Sequence, residues 1–128
     1  MEIEDLNKKR KMICVNLNDW EKVGMHFYGA DKKDWRFKCA NCGHIQSINS
    51  ILSHNHTLDA KEVGKTIYCE CEGRINKGYG CDWSLYGLFQ CHKLIVEDTE
   101  RSIEFKSFLF GNDNANKQLE ELKIRYGD

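Results

Sequence analysis

The first regular pattern of apolar residues along the chain has helical spacing. Three large side chains recur at i, i+3 and i+7: Trp20, Val23 and Phe27. Asn18 followed three residues later by Glu21 is typical of a capping box, in which each side chain accepts a backbone N–H at the helix start. Gly29 is a natural stop. The pattern predicts a helix over 18–28 that packs its Trp/Phe face on the core.

Apolar residues then alternate with polar ones, a period of two that is typical of half-buried strands. Strands are predicted over 35–38, 45–48, 66–71, 92–96 and 102–110. Short helical turns are expected at 50–54 and 59–64. The charged segment 97–101 is expected to be a hairpin loop between the last two strands.

A second helix is predicted near the C-terminus, after the loop and cap signal at 112–114. Its apolar face carries Ala115, Leu119, Leu122 and Tyr126. Glu121 lies four residues before Arg125 and is expected to pair with it. The pattern favours one α+β domain over 1–128, a small zinc-stapled antiparallel sheet of zinc-ribbon type with N-terminal and C-terminal helices. Residues 1–15 are charged and predict a flexible arm.

Composition narrows the classes of protein that remain. The chain has 128 residues, 19 Lys+Arg against 20 Asp+Glu, and a net charge of −1. A domain that wraps duplex DNA usually has a clear basic excess. No apolar run approaches the roughly 20 residues that span a bilayer, and no signal peptide is evident. We therefore expect a cytoplasmic protein without a membrane contact. Its seven cysteines, an odd number, argue against a disulfide scaffold.

The strongest chemical signal is the segment Cys39-x-x-Cys42-Gly43-His44. Two residues between thiolates let the chain turn so that both sulfurs face one ion, and the following glycine lets backbone amides approach them. Zinc takes four such ligands in a tetrahedron, with Zn–S distances of about 2.3 Å. The segment therefore predicts a structural zinc site that needs a second pair of ligands.

The second pair of ligands must come from three further cysteines: Cys69, Cys71 and Cys81. Cys69 and Cys71 share one face of a predicted strand, but such a strand holds their sulfurs far apart. The glycine-rich segment from Cys71 to Cys81 can bring its two ends together. We therefore predict Cys39, Cys42, Cys71 and Cys81 as the ligands, with Cys69 and His44 in reserve. Cys14 and Cys91 are expected to be ordinary buried thiols.

Other chemistry for these thiols is less well supported. A thioredoxin-type redox pair needs a strand-to-helix junction, whereas this pair lies between two predicted strands. Neither ferredoxin spacing is present. A zinc deaminase needs His-x-Glu before Pro-Cys-x-x-Cys, and the chain has no proline. His54 and His56 are expected to be solvent-exposed rather than ligands of a second metal.

Three segments together resemble a family of small, largely uncharacterised bacteriophage and prophage proteins. They are Trp35-Arg36-Phe37-x-Cys39-x-x-Cys42-Gly43-His44, Cys71-x-Gly73-Arg74, and Gly80-Cys81-Asp82-Trp83-x-Leu85-x-Gly87-Leu88-Phe89. The resemblance covers roughly residues 18–95. It implies that the four predicted ligands are the shared thiols and that Cys69 is extra. Ala40 departs from the pattern, since such knuckles commonly have proline there. The resemblance also implies a phage-infected bacterial cell as the setting.

Three functions follow from these observations. The first is a non-enzymatic zinc protein that binds and modulates a host protein, for example by inhibiting a defence or transcription component. The second is a zinc ribbon that binds nucleic acid. The third is an enzyme that uses His26, His44, His54, His56 or Asp82 near the metal. Either of the first two would use a surface of basic and aromatic side chains near the knuckles: Arg36, Lys38, Arg74, Lys77 and Tyr79. Trp35 and Trp83 are expected to pack in the core.

Overall fold

The apolar run that follows the charged N-terminus forms one of the two inner strands of the larger sheet, β1 (Met12–Asn16). Cys14 and Val15 are fully buried, as expected for a strand that is covered on both faces. β1 pairs in parallel with β4 (Leu94–Asp98), which places Val15 opposite Val96. The computed structural model describes residues 12–86 and 94–127. This pairing therefore joins segments of the chain that are distant in sequence, with Ile13 opposite Leu94.

Two antiparallel strands complete the larger sheet. β5 (Ile103–Ser107) pairs with β4, and β7 (Arg125–Gly127) pairs with β1, so the order is β5-β4-β1-β7. A flexible arm is predicted over 1–15. This prediction is wrong from residue 12 onward, because residues 12–15 belong to β1. The earlier part of the predicted arm lies outside the described residues.

The smaller sheet has three short antiparallel strands in the order β3-β2-β6. They are β2 (Phe37–Lys38), β3 (Ile45–Gln46) and β6 (Leu109–Phe110). The strands predicted over 35–38 and 45–48 are shorter than expected. Trp35 closes a 3₁₀ turn, Lys32–Asp34, and Ser47 already caps the next helix. The α+β class and the ribbon-like antiparallel sheet are as predicted. The parallel pairing of β1 with β4 is not predicted from the sequence.

The part of the chain that the structure describes has four α-helices. They are α1 (Leu17–Tyr28), α2 (Ile48–His54), α3 (Ala60–Gly64) and α4 (Asp113–Leu122). The helical turns expected at 50–54 and 59–64 are confirmed as α2 and α3. The capping box predicted from Asn18 is wrong, because the helix begins one residue earlier. Asn16 is the N-cap, and its side chain accepts the backbone N–H of Asn18 at 2.8 Å.

The strand predicted over 66–71 is not formed. The amides of Cys69 and Glu70 donate to the carbonyl of Thr66 at 3.0 and 2.9 Å, so the chain continues to turn after α3. Glu70 makes an isolated bridge with Ser84. The period-two pattern was misleading here because burial of Ile67 and Cys69 arises in a turn.

The strand predicted over 102–110 is divided between the two sheets. Its first part is β5 and its last two residues are β6, and between them the Phe108 amide donates to the Tyr68 carbonyl at 2.6 Å. The predicted strand 92–96 begins as β4 at Leu94, with its first two residues outside the described part, and extends to Asp98. The predicted loop at 97–101 therefore starts two residues later than expected.

The closing helix is also shorter than predicted. α4 ends at Leu122, after which Ile124 donates its amide to the Cys14 carbonyl at 2.7 Å and the chain joins the larger sheet as β7. The predicted pair of Glu121 with Arg125 is wrong, because Arg125 forms its ion pair with Glu97 on β4. Hydrogen bonding to β1 has overridden the helical periodicity.

An aromatic cluster joins α1 to the smaller sheet. The ring centroids of Trp20 and Trp35 are 5.3 Å apart, and those of Phe37 and Phe110 are 5.6 Å apart. Trp35 is 1% exposed and its indole N–H donates to the Gly29 carbonyl at 2.9 Å. Trp35 is thus a core residue, as expected, and Trp83 is half-buried against the same core.

The close approach of α1 to this cluster predicts a destabilising substitution. A methyl group added at Gly24 would lie 2.4 Å from the Trp35 ring. We expect Gly24→Ala to lower the free energy of unfolding by about 1–3 kcal/mol, because the indole is packed too tightly to move freely. Met25→Ala, at the next and half-exposed position, should change it by less than about 0.5 kcal/mol. Urea denaturation of both variants checks this, and equal stabilities would contradict the packing described.

Candidate metal centre

The first pair of cysteines lies on the tight turn between β2 and β3. The Cys39 amide donates to the His44 carbonyl at 2.9 Å, and the Gly43 amide donates back to the Cys39 carbonyl at 3.1 Å. Gly43 has a φ of +78°, a conformation that favours glycine. The Asn41 amide lies 3.4 Å from the Cys39 sulfur. The turn thus presents two sulfurs on one side and backbone donors beside them.

The second pair comes from the loop between Cys71 and Cys81. The Cys81 amide donates to the Cys71 sulfur at 3.3 Å, and the Cys71 amide donates to the Trp83 carbonyl at 2.9 Å. Two glycines are required for this closure. A Cβ at Gly80 would lie 2.6 Å from the Cys71 sulfur, and one at Gly73 would lie 2.3 Å from the Cys81 carbonyl oxygen. The glycine-rich loop therefore returns its end beside its start.

The two turns bring four sulfurs together. The Sγ atoms of Cys39, Cys42, Cys71 and Cys81 all lie within 4.8 Å of one another. The Cys39–Cys81 and Cys42–Cys71 sulfur distances are 3.7 and 3.8 Å. A tetrahedron with metal–sulfur bonds of about 2.3 Å has sulfur–sulfur edges of about 3.8 Å. The cluster is a possible metal site, with the ligands that the sequence predicts.

Neither reserve ligand belongs to this cluster. Cys69 is buried in the hydrophobic core, and burial raises the pKa of its thiol to about 11. His44 is directed elsewhere, because its Nε2 is 2.9 Å from the Glu72 carboxylate. Cys14 is fully buried, as expected, with the Arg125 guanidinium 3.2 Å from its sulfur. Cys91 lies outside the described residues.

The thiols of the cluster differ in how readily they lose a proton. Burial raises the pKa of Cys39 to about 12 and also raises the pKa of Cys71. Burial acts in the same direction on Cys81, but hydrogen bonds from the Asn41 side chain, the Trp83 backbone and neighbouring thiols outweigh it. They lower the pKa of Cys81 to about 7. In the metal-free fold, Cys81 is therefore the most acidic of these three thiols.

This order predicts that metal affinity depends steeply on pH. Cys39 and Cys71 are protonated at neutral pH without metal but must bind as thiolates, so binding releases at least two protons. We expect the association constant to fall by about 100-fold or more per pH unit as pH decreases from 8 to 6. Competition with a chromophoric chelator at pH 6, 7 and 8 measures this. An affinity that is independent of pH would show that the thiols are not the ligands.

We call the turn with Cys39 and Cys42 the first metal loop and the loop from Cys71 to Cys81 the second. A buried carboxylate that the sequence analysis did not identify lies beside these metal loops. The Glu72 side chain has no exposed surface and contacts His44 Nε2 at 2.9 Å, His54 Nδ1 at 2.5 Å and Asn76 Nδ2 at 2.9 Å. Burial alone would raise the pKa of Glu72, but the hydrogen bonds from Asn76, His54 and His44 outweigh it and hold the pKa below its ordinary value. Nothing in the sequence separates Glu72 from other acidic residues.

Gln46, on β3, hydrogen-bonds the backbone around Glu72 and so holds it to the smaller sheet. Its Oε1 accepts the Glu72 amide at 2.8 Å, and its Nε2 donates to the carbonyls of Ile67 and Glu70 at 2.9 and 2.8 Å. Gln46 is 1% exposed. Together with Glu72 it ties the second metal loop to β3 and to α2.

The other candidates from the sequence are dispersed. His54 reaches Glu72 and stacks on Tyr79, with ring centroids 3.7 Å apart. His26 contacts Phe27 on its own helix, and His56 is exposed in the segment after α2. Asp82 is exposed and offers its carbonyl to Arg74. Of the histidines, only His44 and His54 come together in the described part of the chain.

All five members of the predicted binding surface are exposed: Arg36, Lys38, Arg74, Lys77 and Tyr79. The Arg74 charge is partly compensated, since its Nε lies 2.9 Å from Glu70 and its Nη1 donates to the Asp82 carbonyl at 2.8 Å. The surface is therefore less basic than the sequence suggests.

Comparison with known proteins places the chain in a family. Among the described residues, no helix has the length and apolar character needed to cross a membrane. No curated protein and no solved structure matched the chain. A family model described as VVA0879-like matches residues 16–111, which include α1, both metal loops, the smaller sheet, and β4 and β5 of the larger sheet. With three quarters of its length matched, the chain belongs to the VVA0879-like family.

Proposed function

We propose that the protein is a non-enzymatic zinc protein in which the metal is structural. The observation that carries this proposal is the closed set of four sulfurs, whose spacing of 3.7 and 3.8 Å suits a zinc tetrahedron. Four thiolates occupy every coordination position and leave none for a water or a substrate. Zinc holds the β2–β3 turn against the loop that contains Cys71 and Cys81.

Metal analysis with cobalt substitution tests this proposal. We expect one zinc per chain, no iron, and a cobalt form whose absorption spectrum has the charge-transfer bands of four thiolates. Because the coordination shell is closed, added azide should leave the cobalt spectrum unchanged. A spectrum that azide alters would indicate an open position and would favour a catalytic metal. Iron in place of zinc would contradict the assigned metal.

The biological role we propose is binding and modulating a host macromolecule, with a component of defence or transcription as the target class. Support comes from apolar side chains that the metal loops expose. Ile45, beside the first turn, is 47% exposed, and Ile75 and Tyr79, on the second loop, are 41% and 42% exposed. The contact of His44 with Glu72 holds the two loops together. We call Ile45, Ile75 and Tyr79 the metal-loop surface. The resemblance to phage and prophage proteins suggests the cytoplasm of an infected bacterium as the setting.

Variants of the metal-loop surface test this role. Ile45→Ser with Ile75→Ser removes two exposed apolar side chains and is expected to abolish capture of the host protein. Ile103→Ser is the matched control, because Ile103 is 55% exposed on β5 in the other sheet. The captured protein must then bind the purified wild type directly. Equal binding to the wild type and to both variants would contradict the proposed surface.

Nucleic-acid binding is a second candidate, favoured by two cations at β2, one just before the strand and one in it. Arg36 and Lys38 flank the buried Phe37 and are both exposed, so they face outward together. Binding of single-stranded DNA that weakens steeply with salt, and that Arg36→Ala with Lys38→Ala removes, would support it. Binding that does not depend on salt would contradict it. We rank it second because the chain has no net basic charge and Arg74 is engaged with Glu70.

A further inference from the structure

A cavity of about 600 Å³ lies at the carboxyl ends of the two parallel strands, and its lining includes none of the four clustered cysteines. Asn16 at the end of β1 and Glu97 and Asp98 at the end of β4 form one side of it. The first turn of α1 forms another side. Its volume is in the range of pockets that enclose small ligands. The carboxyl edge of parallel strands is also where open α/β sheets commonly bind ligands.

The floor of this cavity is aromatic. Trp20, Tyr68 and Phe105 line it. The centroids of Trp20 and Phe105 are 5.6 Å apart with planes at 84°, and those of Tyr68 and Phe105 are 5.1 Å apart at 57°. These angles are those of edge-to-face and tilted ring contacts, and Trp20 also stacks on Phe37 and Phe110. A flat aromatic ligand would find favourable stacking and edge contacts there.

One donor in this floor has no acceptor. Trp20 is 6% exposed, and its buried indole N–H has no hydrogen-bond partner among the described residues. Trp35, which also lines the cavity, has its N–H satisfied by the Gly29 carbonyl. A buried donor without a partner is costly and uncommon. A ligand with an acceptor atom in its ring would satisfy Trp20.

The mouth of the cavity has an acidic balance. Four carboxylates and two cations line it: Glu21, Glu97, Asp98, Glu100, Lys32 and Arg101. The side chains of Glu97 and Asp98 are 16% and 13% exposed, so these two carboxylates lie well inside the surface. Lys32 is already paired with Glu21 at 3.3 Å, Arg101 with Asp98 at 3.6 Å, and Glu97 with Arg125, which does not line the cavity. Glu100 makes no ion pair among the described residues. Such a mouth favours an amino group on the ligand and disfavours a phosphate.

We propose that this cavity binds a planar heteroaromatic amine, a nucleobase of the adenine type presented as a free base or nucleoside. The ring would pack on Trp20 and Phe105, a ring nitrogen would accept the Trp20 N–H, and the exocyclic amine would donate to the carboxylates at the mouth. The site is separate from the metal centre and adds a small-molecule ligand to the proposed function.

Titration of the zinc-loaded full chain with nucleosides tests this site by ¹⁵N–¹H NMR of the indole N–H signals. We expect adenosine to shift the Trp20 signal and to bind about tenfold more tightly than inosine, which has a carbonyl in place of the amine. Adenosine 5′-monophosphate should bind more weakly than adenosine. No binding of adenosine at millimolar concentration, or equal binding of inosine, would overturn the proposal. Tighter binding of the monophosphate would overturn the assignment to a base or nucleoside.

Two variants separate recognition from stability. Trp20→Phe keeps an aromatic ring, removes the N–H, and is expected to weaken adenosine binding by about tenfold; it also identifies the Trp20 signal. Glu100→Gln changes an exposed turn residue, so the fold should persist, and a loss of about threefold is expected. Glu121→Gln, an exposed carboxylate on α4 that does not line the cavity, is the matched control. Equal affinity of the Glu100 and Glu121 variants would show that the acidic mouth does not recognise the amine.

Discussion

Replacing Cys81 by serine is expected to release the metal and to lower the melting temperature by about 10 °C or more. The Cys81 sulfur lies 3.7 Å from that of Cys39 and completes the tetrahedron from the far end of the second loop. Without it, three ligands hold the ion weakly, and Cys71 is the one remaining ligand from the second loop. Metal analysis and calorimetry on the same preparation measure both effects.

Two other cysteines provide controls for this experiment. Cys69 is two residues from Cys71 but is buried in the core, and Cys14 is buried in β1. Cys69→Ser and Cys14→Ser should therefore keep one metal ion per chain, although each buries a hydroxyl and loses some stability. Equal metal loss in the Cys69 and Cys81 variants would show that the ligand set is wrong.

Removing the Glu72 carboxylate is expected to destabilise the metal-loaded protein by about 3–5 kcal/mol, because it leaves buried hydrogen-bonding groups without their partner. In Glu72→Ala, His44, His54 and Asn76 all lose the oxygen atoms they contact. The second metal loop would then be held to α2 and β3 by fewer bonds. Urea denaturation in the presence of saturating zinc measures the loss.

Glu70 offers a matched control two residues away. Its side chain is 28% exposed and pairs with Arg74 at 2.9 Å. Glu70→Ala should cost less than about 1 kcal/mol, as is usual for ion pairs that water screens. If the two alanine variants are equally stable, Glu72 does not act as the buried centre of this hydrogen-bond network.

The metal cluster shows how far local sequence reasoning extends. The Cys39–Cys42 turn depends on four consecutive residues and a following glycine, so its geometry can be inferred from spacing alone. Local spacing also favours Cys71 over Cys69. The strand predicted over 66–71 is wrong, because these residues form a turn. The predicted ligand set is unaffected, because the glycines after Cys71 allow the end of the loop to lie beside its start.

The larger sheet shows where such reasoning fails. β7 has a weak local signal and β1 is a short apolar run, and each is a strand because it pairs with a distant segment. Arg125 is in β7 rather than in the predicted helix for the same reason. It pairs with Glu97, and the chain before it hydrogen-bonds to the β1 backbone. Periodicity detects a buried face but cannot tell which distant strand covers it.

The sequence by itself determined the α+β class, the positions of α1 to α4 to within a few residues, and the four cysteines that meet at the candidate metal site. These features follow from spacing over a few neighbouring residues, where backbone geometry limits the alternatives. Only the tertiary structure decided the parallel pairing of β1 with β4, the burial of Glu72 among two histidines, and the aromatic cavity beneath Glu97 and Asp98. Each of these joins residues far apart in the chain, and their contacts exist only once the strands have been placed.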